Sequence, residues 1–289
     1  MIGTGIALIT PFKKDLSIDF DALSNIIEHC ISGGVEYLVA LGTTGESVTL
    51  TKEEKKKIYQ FVAQQAKGRV ACVAGIGGNH TAEVTEMLKS FNVKGYDAVL
   101  SVSPYYNKPN QEGIYQHYRE VSKASKLPII LYNVPGRTGS NMSAATTLRI
   151  AKDCKNVIAI KEASGQPEQF MDLLAAKPKG FNIISGDDNL TLPFLAMGMC
   201  GVISVIGNAY PREFSTMVRL GLNGNYDEAR LLHYKLYEMM KAIFMDGNPG
   251  GIKYVMNKMK LCQNLVRLPL STVNTATRQR IDDIMKTMK

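Results

Sequence analysis

The run VIAIKE, residues 157–162, is short, apolar and rich in β-branched residues, and seven similar runs occur along the chain. They are GIALIT (5–10), EYLVAL (36–41), VACVAG (70–75), DAVLSV (97–102), PIILYN (128–133), FNIISG (181–186) and GVISVI (201–206). Most of them lack a strict apolar–polar alternation, which is typical of parallel strands covered on both faces. The pattern therefore predicts eight parallel β-strands.

Amphipathic segments separate these runs, and their periodicity predicts helices. The predicted helices span 21–33, 52–66, 81–93, 111–125, 143–152, 167–176, 189–198 and 211–221. Thr51, Thr81 and Ser143 each stand at the start of such a segment and are predicted N-terminal caps. Eight strand–helix units predict an α/β fold, a (β/α)8 TIM barrel over residues 1–224. An open doubly wound sheet is the alternative.

The sequence changes character after Gly224. It contains long helical patterns at 226–245, 249–260 and 275–287 and no convincing strand. Residues 225–289 are therefore predicted to form a C-terminal helical domain that extends the barrel.

The composition favours a cytoplasmic protein. There is no run of about 18 apolar residues that could span a membrane, and the first residues lack the basic region of a signal peptide. The five cysteines are widely spaced, which predicts reduced, structural thiols. The net charge of +8 is concentrated after residue 250, but that region has no aromatic stacking platform. We therefore expect no nucleic-acid partner and no membrane partner.

Lys161 ends the sixth predicted strand, and active sites of such barrels lie at the C-terminal ends of the strands. A lysine in the barrel mouth is partly desolvated, which favours the neutral amine that a nucleophile requires. The residues alone leave a second interpretation open, in which Lys161 snorkels to the surface or pairs with Glu162.

Two further strand ends carry groups that suit an anionic substrate. LGTTGES (41–47) could turn successive backbone N–H groups, and the hydroxyls of Thr43 and Thr44, toward a carboxylate. LYNVPGRTG (131–139) offers Tyr132 as a proton shuttle and Arg137 as a fork for a carboxylate. A capped turn, a buried tyrosine and a surface arginine are the alternatives.

Other sites find no support in the sequence. GIGGNH (75–80) lacks the third glycine and the acidic partner of a dinucleotide fingerprint. The four histidines have no metal-ligand spacing, so no metal site is predicted.

Five motifs together resemble one family. GTTGES (42–47), SPYYNKP (103–109), YNVPGRTG (132–139), IKEASG (160–165) and SGDD (185–188) occur in the order and spacing of the dihydrodipicolinate (4-hydroxy-tetrahydrodipicolinate) synthase family. That family belongs to the pyruvate-dependent class I aldolases, which are lyases. The resemblance covers essentially the whole chain. It implies condensation of pyruvate with L-aspartate 4-semialdehyde, the first committed step of diaminopimelate and lysine biosynthesis.

The resemblance also implies a role for each site residue. Lys161 forms a Schiff base with pyruvate, and no cofactor is needed. Tyr132, Thr43 and Tyr106 form a proton relay, with Tyr106 supplied by a neighbouring subunit. The implied substrate-binding residues are Thr44, Arg137, Ile203 and Gly186. The expected assembly is a homotetramer built as a dimer of dimers.

Many bacterial members of the family are inhibited by lysine at the dimer interface. The corresponding positions here are Ser47, Val48, Lys52, Lys55, Asn79, Glu83 and Tyr105. Lys52 and Lys55 replace histidines that are often found there, and two added cations oppose the ammonium of the ligand.

Two other functions compete with the synthase. One is another pyruvate aldolase on the same scaffold, such as a sugar-acid lyase. The other is a non-catalytic barrel that binds an anion or nucleic acid through its basic face.

Overall fold

Eight parallel strands close into a barrel in chain order, β1 pairing with both β2 and β8. A computed structural model describes residues 1–288. The strands are β1 (Gly3–Ala7), β2 (Tyr37–Ala40), β3 (Ala71–Gly75), β4 (Ala98–Val102), β5 (Ile129–Asn133), β6 (Val157–Glu162), β7 (Asn182–Ser185) and β8 (Gly201–Ser204). The predicted TIM barrel is confirmed, and the open sheet is excluded.

Helices follow the strands and cover the outside of the barrel. They are α1 (Phe20–Ser32), α2 (Lys52–Ala66), α3 (Thr81–Ser90), α4 (Gln111–Ala124), α5 (Pro135–Thr138), α6 (Ala144–Asp153), α7 (Pro167–Ala176), α8 (Thr191–Met197) and α9 (Pro211–Leu222). The short helix α5 was not predicted, because one turn carries no periodicity.

The first strand begins and ends earlier than its apolar run predicts. It covers Gly3–Ala7 rather than 5–10. The side chain of Asn208 explains the early end: its amide donates to the Ala7 carbonyl at 2.9 Å and its oxygen accepts from the Ile9 N–H at 3.2 Å. The side chain of Asn208 thus satisfies two backbone groups at and just beyond the end of β1.

Two of the three predicted helix caps are confirmed. Thr51 forms a capping box with Glu54, and the Ser143 hydroxyl accepts from the Thr146 N–H. Thr81 is not a cap but the first residue of α3, preceded by His80. Its hydroxyl lies 2.9 Å from Nδ1 of His117 instead.

Three helices follow the barrel: α10 (Tyr226–Ala242), α11 (Gly250–Lys258) and α12 (Thr275–Thr287). The first of them packs against α9 and α12. No helix of residues 1–288 is long and apolar enough to cross a membrane. That residues 225–289 fold as a domain of their own stays a prediction.

Side chains alternate along each strand between the barrel interior and the surrounding helices. The interior cluster includes Ala159 of β6, Tyr132 of β5 and Ile203 of β8. Lys161 follows Ala159 by two residues and therefore faces the same interior. Ile160 and Glu162 face the helices.

Candidate active site

Lys161 lies inside the barrel, where β6 ends. Its side chain is 5% exposed, and Nζ lies 4.4 Å from the centroid of the Tyr132 ring. The two residues are register partners on β5 and β6, so both are fixed by the sheet. The snorkelling interpretation is excluded.

Glu162 does not pair with Lys161. Its carboxylate faces outward, where it accepts hydrogen bonds from the Asn133 amide at 3.1 Å, the Gln169 amide at 3.1 Å and the Ser164 N–H at 2.9 Å. Burial raises the pKa of this carboxyl, and those three donors offset part of the rise. Among residues 1–288, no carboxylate lies within ion-pair distance of Lys161. The amine is therefore not tied up in a salt bridge.

The loop after β2 forms a tight turn of 3-10 helix, Thr43–Gly45. Thr44 is buried and Thr43 is half-buried. The Thr44 hydroxyl accepts a hydrogen bond of 2.9 Å from the side-chain amide of Asn248, which precedes α11. A turn of this kind leaves backbone N–H groups free to converge on an anion.

Glu46 follows this turn in the left-handed conformation, with φ at 53°. A non-glycine residue adopts that conformation at a cost of about 1–2 kcal/mol. Lys253 of α11 pairs with its carboxylate, and both side chains are fully buried. The N–H of Arg267 donates to the other carboxylate oxygen at 3.0 Å. Removing one partner from such a buried pair costs about 3–5 kcal/mol.

Residues at the C-terminal ends of β7 and β8 also lie near Lys161. Asp188 is buried and accepts hydrogen bonds from the Val205 N–H at 3.0 Å and the Ile206 N–H at 2.7 Å. Burial raises the pKa of Asp188 to about 6, although the hydrogen bonds from these two N–H groups lower it in part. Burial also raises the pKa of Asp187, and the charge of Lys161 offsets part of that rise. Ile203 lies beneath them in the interior cluster.

Gly186 lies against the side chain of Lys161. A Cβ atom at Gly186 would lie 3.1 Å from Cε of Lys161 and 2.5 Å from Cβ of Ala163. A side chain here would therefore displace the amine from its position.

We expect Gly186→Ala to lower the rate of imine formation by about 100-fold, because a displacement of about 1 Å at a reacting group has an effect of that size. Reductive trapping at several pyruvate concentrations measures it. Gly136→Ala is the control, because no atom lies within 4 Å of its added Cβ. Equal trapping rates in both variants would contradict this placement of Gly186.

A cavity of 1070 Å³ opens beside the Tyr132 ring and continues along α2 and α3. Thr43, Tyr132 and Arg137 line it together, although Arg137 itself is exposed on α5. The lining contains five lysines and Arg137 and, among the described residues, no aspartate or glutamate. The charged side chains of the lining are therefore all cationic, which attracts small anions.

Tyr106 is not brought to this cavity by its own chain. Its side chain is 88% exposed, and its backbone is left-handed with φ at 72°. The neighbouring Tyr105 lines the cavity, and its backbone carbonyl accepts a hydrogen bond of 3.1 Å from the side-chain amide of Asn79. The side chain of Tyr106 therefore points away from the cavity and into solvent.

The seven positions of the inferred lysine site do not all meet in one chain. Five of them line the outer part of the same cavity: Ser47, Val48, Lys52, Lys55 and Tyr105. Asn79 reaches Tyr105, whereas the exposed Glu83 pairs with His80 at 3.3 Å. Burial and the charge of Lys52 lower the pKa of Lys55. The lysine site stays a prediction.

Among residues 1–288, no group of three or more His, Cys, Asp and Glu side chains is placed to hold a metal ion. All five cysteines are free thiols, and all but Cys200 are buried. Burial raises the pKa of the Cys30, Cys72 and Cys262 thiols to about 12. These thiols are therefore protonated at neutral pH, consistent with a structural role.

A model of the dihydrodipicolinate synthetase family matches residues 2–288. The chain belongs to this family. A family member from Parabacteroides distasonis, named 4-hydroxy-tetrahydrodipicolinate synthase, is 54% identical over 98% of this chain and 96% of its own. A relative of the same name from Flavobacterium psychrophilum is 56% identical over 97% of this chain and 96% of its own.

The crystal structure of dihydrodipicolinate synthase from Aquifex aeolicus has the same fold. It superimposes with a TM-score of 0.96 at 38% identity, and the match covers 99% of this chain and 98% of that one. The family predicted from the five motifs is confirmed. So is the prediction of a lyase of the class I aldolase type.

Four residues that shape the site were not assigned roles from the sequence: Glu46, Asp188, Asn248 and Lys253. A signal for Lys253 was present, because it stands alone as a charged residue in the apolar stretch GGIKYVM of α11. A lone charge on a buried helix face requires a partner. The sequence cannot say that the partner is Glu46, 207 positions away.

Proposed function

We propose that this protein catalyses the 4-hydroxy-tetrahydrodipicolinate synthase reaction, joining pyruvate to L-aspartate 4-semialdehyde through an imine on Lys161. The observation that carries the proposal is the amine of Lys161, which is buried in the barrel, free of a carboxylate partner and 4.4 Å from the Tyr132 ring centroid. Membership of the family, at about half identity to named synthases, supports it.

The carboxylate of pyruvate binds at the Thr43–Gly45 turn. Thr43 and Thr44 offer hydroxyls and backbone N–H groups there, and the main chain at Ile203 contributes a further contact. The positive lining of the cavity supports an anionic substrate. With the carboxylate held, the keto carbon lies within reach of Nζ of Lys161.

The chemistry follows from the imine. Neutral Nζ attacks the keto carbon, and loss of water gives a protonated imine. The positive nitrogen acts as an electron sink, so a methyl proton of pyruvate leaves and an enamine forms. The enamine carbon attacks the aldehyde carbon, whose oxygen takes up a proton. The amino group of the semialdehyde then displaces Nζ at the imine carbon, which closes the ring and frees Lys161.

Tyr132, Thr43 and Tyr106 move the protons in these steps. Tyr132 and Thr43 line one cavity, whereas Tyr106 is exposed on its own chain. Its exposure supports a role for Tyr106 in the site of a second copy. A site completed by a second copy requires at least a dimer, and we propose the homotetramer, a dimer of dimers, that the family resemblance implies. The reaction uses no cofactor, because the imine supplies the electron sink.

Arg137 binds the carboxylate of the semialdehyde, and Gly186 leaves room for this substrate beside Lys161. The lysine positions around Lys52 and Lys55 form the regulatory site, where the added cations weaken lysine binding. We place the protein in the cytoplasm with the rest of diaminopimelate synthesis.

We expect Arg137→Ala to raise the KM for the semialdehyde by about 10- to 100-fold, the value of one charge-assisted hydrogen bond. The KM for pyruvate and the borohydride adduct should change little. Arg149→Ala, which removes an exposed arginine paired with Glu112, is the matched control. An unchanged semialdehyde KM in Arg137→Ala would remove this residue from the site.

Borohydride reduction in the presence of pyruvate tests the proposed function. The wild-type protein should gain the mass of one reduced pyruvate adduct, located on Lys161 by peptide mapping. Steady-state assays should then show turnover with L-aspartate 4-semialdehyde and none with sialic or keto-deoxy sugar acids. Absence of the adduct on folded protein refutes the covalent mechanism. Turnover with sugar acids alone assigns the protein to another pyruvate aldolase.

A further inference from the structure

A buried ion pair connects α11 to the loop that presents Thr43 and Thr44. Lys253 and Glu46 are fully buried, and their side chains pair directly. Nζ of Lys253 also donates to the Leu265 carbonyl at 2.8 Å and lies 4.2 Å from the centroid of the Phe12 ring. The lysine therefore has a partner on three sides, and its side chain is fully buried.

Glu46 is the residue that ends the Thr43–Gly45 turn. Its N–H donates to the Thr43 carbonyl at 3.1 Å, and its own carbonyl accepts from the Thr49 N–H at 3.0 Å. Its left-handed backbone, at φ 53°, reverses the chain between two turns of 3-10 helix. Such a conformation persists in a non-glycine residue when surrounding contacts over-determine it.

The C-terminal segment supplies those contacts. Lys253 and the Arg267 N–H bind the two oxygens of the Glu46 carboxylate, and the Asn248 amide binds the Thr44 hydroxyl. Three donors from residues 248–267 thus reach a loop that lies about 200 positions earlier in the chain. The segment after β1 adds one further bond, from the Thr10 hydroxyl to the Gly45 carbonyl at 2.7 Å.

The charge of the pair matters as well as its geometry. A lone carboxylate next to an anion-binding turn would repel an anionic substrate, and repulsion is strong where water is excluded. Lys253 neutralises Glu46 and so leaves the turn attractive to a carboxylate.

We propose that Lys253 is a positioning residue for the pyruvate step: through Glu46 it holds and neutralises the turn that binds the carboxylate of pyruvate. The inference rests on the proposed function and adds a residue outside the barrel to it. Lys253 touches neither substrate nor the reacting atoms.

The test compares Lys253→Met with the double variant Glu46→Gln/Lys253→Met. The single variant leaves a buried carboxylate without its cation, so its pyruvate KM should rise the most. The double variant removes both charges, and replacing a buried pair by neutral groups is often well tolerated by the fold. Its pyruvate KM should still rise about tenfold, while the semialdehyde KM stays within about twofold.

The matched control is Lys258→Met on the same helix. Lys258 is half-exposed and pairs with Asp282 at 3.1 Å, away from the loop. Both Michaelis constants should keep their wild-type values in this variant. The borohydride trapping rate at subsaturating pyruvate should fall in the two Lys253 variants and not in the control.

The outcomes separate this inference from the proposed function. A wild-type protein that forms no pyruvate adduct refutes the proposed function, and the positioning role falls with it. A wild-type adduct together with a folded double variant of unchanged pyruvate KM overturns the positioning role alone. A double variant that cannot fold also overturns the positioning role. The same holds for a double variant in which the KM for pyruvate and the KM for the semialdehyde rise equally, because the pair would then stabilise the fold as a whole.

Discussion

Lys161→Met forms no borohydride adduct with pyruvate and loses at least about 10⁴-fold in kcat/KM. The methionine side chain has similar length and fills the same interior space, so the barrel should fold as before. It lacks the amine, and no other group among the described residues could form the imine in that place. Trapping followed by intact mass measurement, together with steady-state rates at saturating semialdehyde, gives both readouts.

Lys155→Met is the control for this variant. Lys155 is exposed just before β6, at the opposite end of the strand that carries Lys161. It should retain the adduct and full activity. A Lys161→Met protein that still gains the pyruvate mass would assign the imine to another lysine and would end the mechanism proposed here.

Tyr132→Phe lowers kcat by about 10²- to 10⁴-fold, the usual contribution of a positioned proton-transfer group. The phenyl ring keeps the packing against Lys161, whose Nζ lies 4.4 Å from the ring centroid. Only the hydroxyl is lost, so pyruvate should still be trapped on Lys161, at a reduced rate. The loss should therefore appear in kcat more than in the KM for pyruvate.

Tyr115→Phe is the control variant for Tyr132→Phe. The Tyr115 hydroxyl donates to Asp153 at 2.8 Å, where α4 packs against α6. Tyr115→Phe removes one hydrogen bond there, worth about 1 kcal/mol of stability, without touching the cavity. A wild-type kcat in Tyr132→Phe would show that the Tyr132 hydroxyl takes no part in proton transfer.

The barrel could be predicted from the sequence because the pattern that indicates each strand lies within a few consecutive residues. Each strand is a short apolar run, and seven of the eight observed strands lie within the runs predicted for them. The exception, β1, ends early where it meets the side chain of Asn208, 201 positions later in the chain, a contact that no local pattern contains. Thr81 was misjudged for a similar reason, since its hydroxyl pairs with His117 of the next helix.

The candidate site was partly readable in the same way. A closed parallel barrel brings all strand ends to one rim, so Lys161, Tyr132 and Thr43 could be placed near one another from strand positions alone. The sequence could not exclude a salt bridge between Lys161 and Glu162. The alternation of β6 excludes it, because consecutive residues face opposite sides of a strand.

The sequence by itself determined the order of the strands, the barrel and the family, since these depend on patterns within about ten residues and on five short motifs. Only the tertiary structure decided how the substrate loop is held, through Glu46, Lys253 and Asn248. Those partners lie about 200 positions apart, and each satisfies a buried polar group that the other leaves open. Burial makes an unpartnered polar group costly, but only the folded chain decides which partner satisfies it.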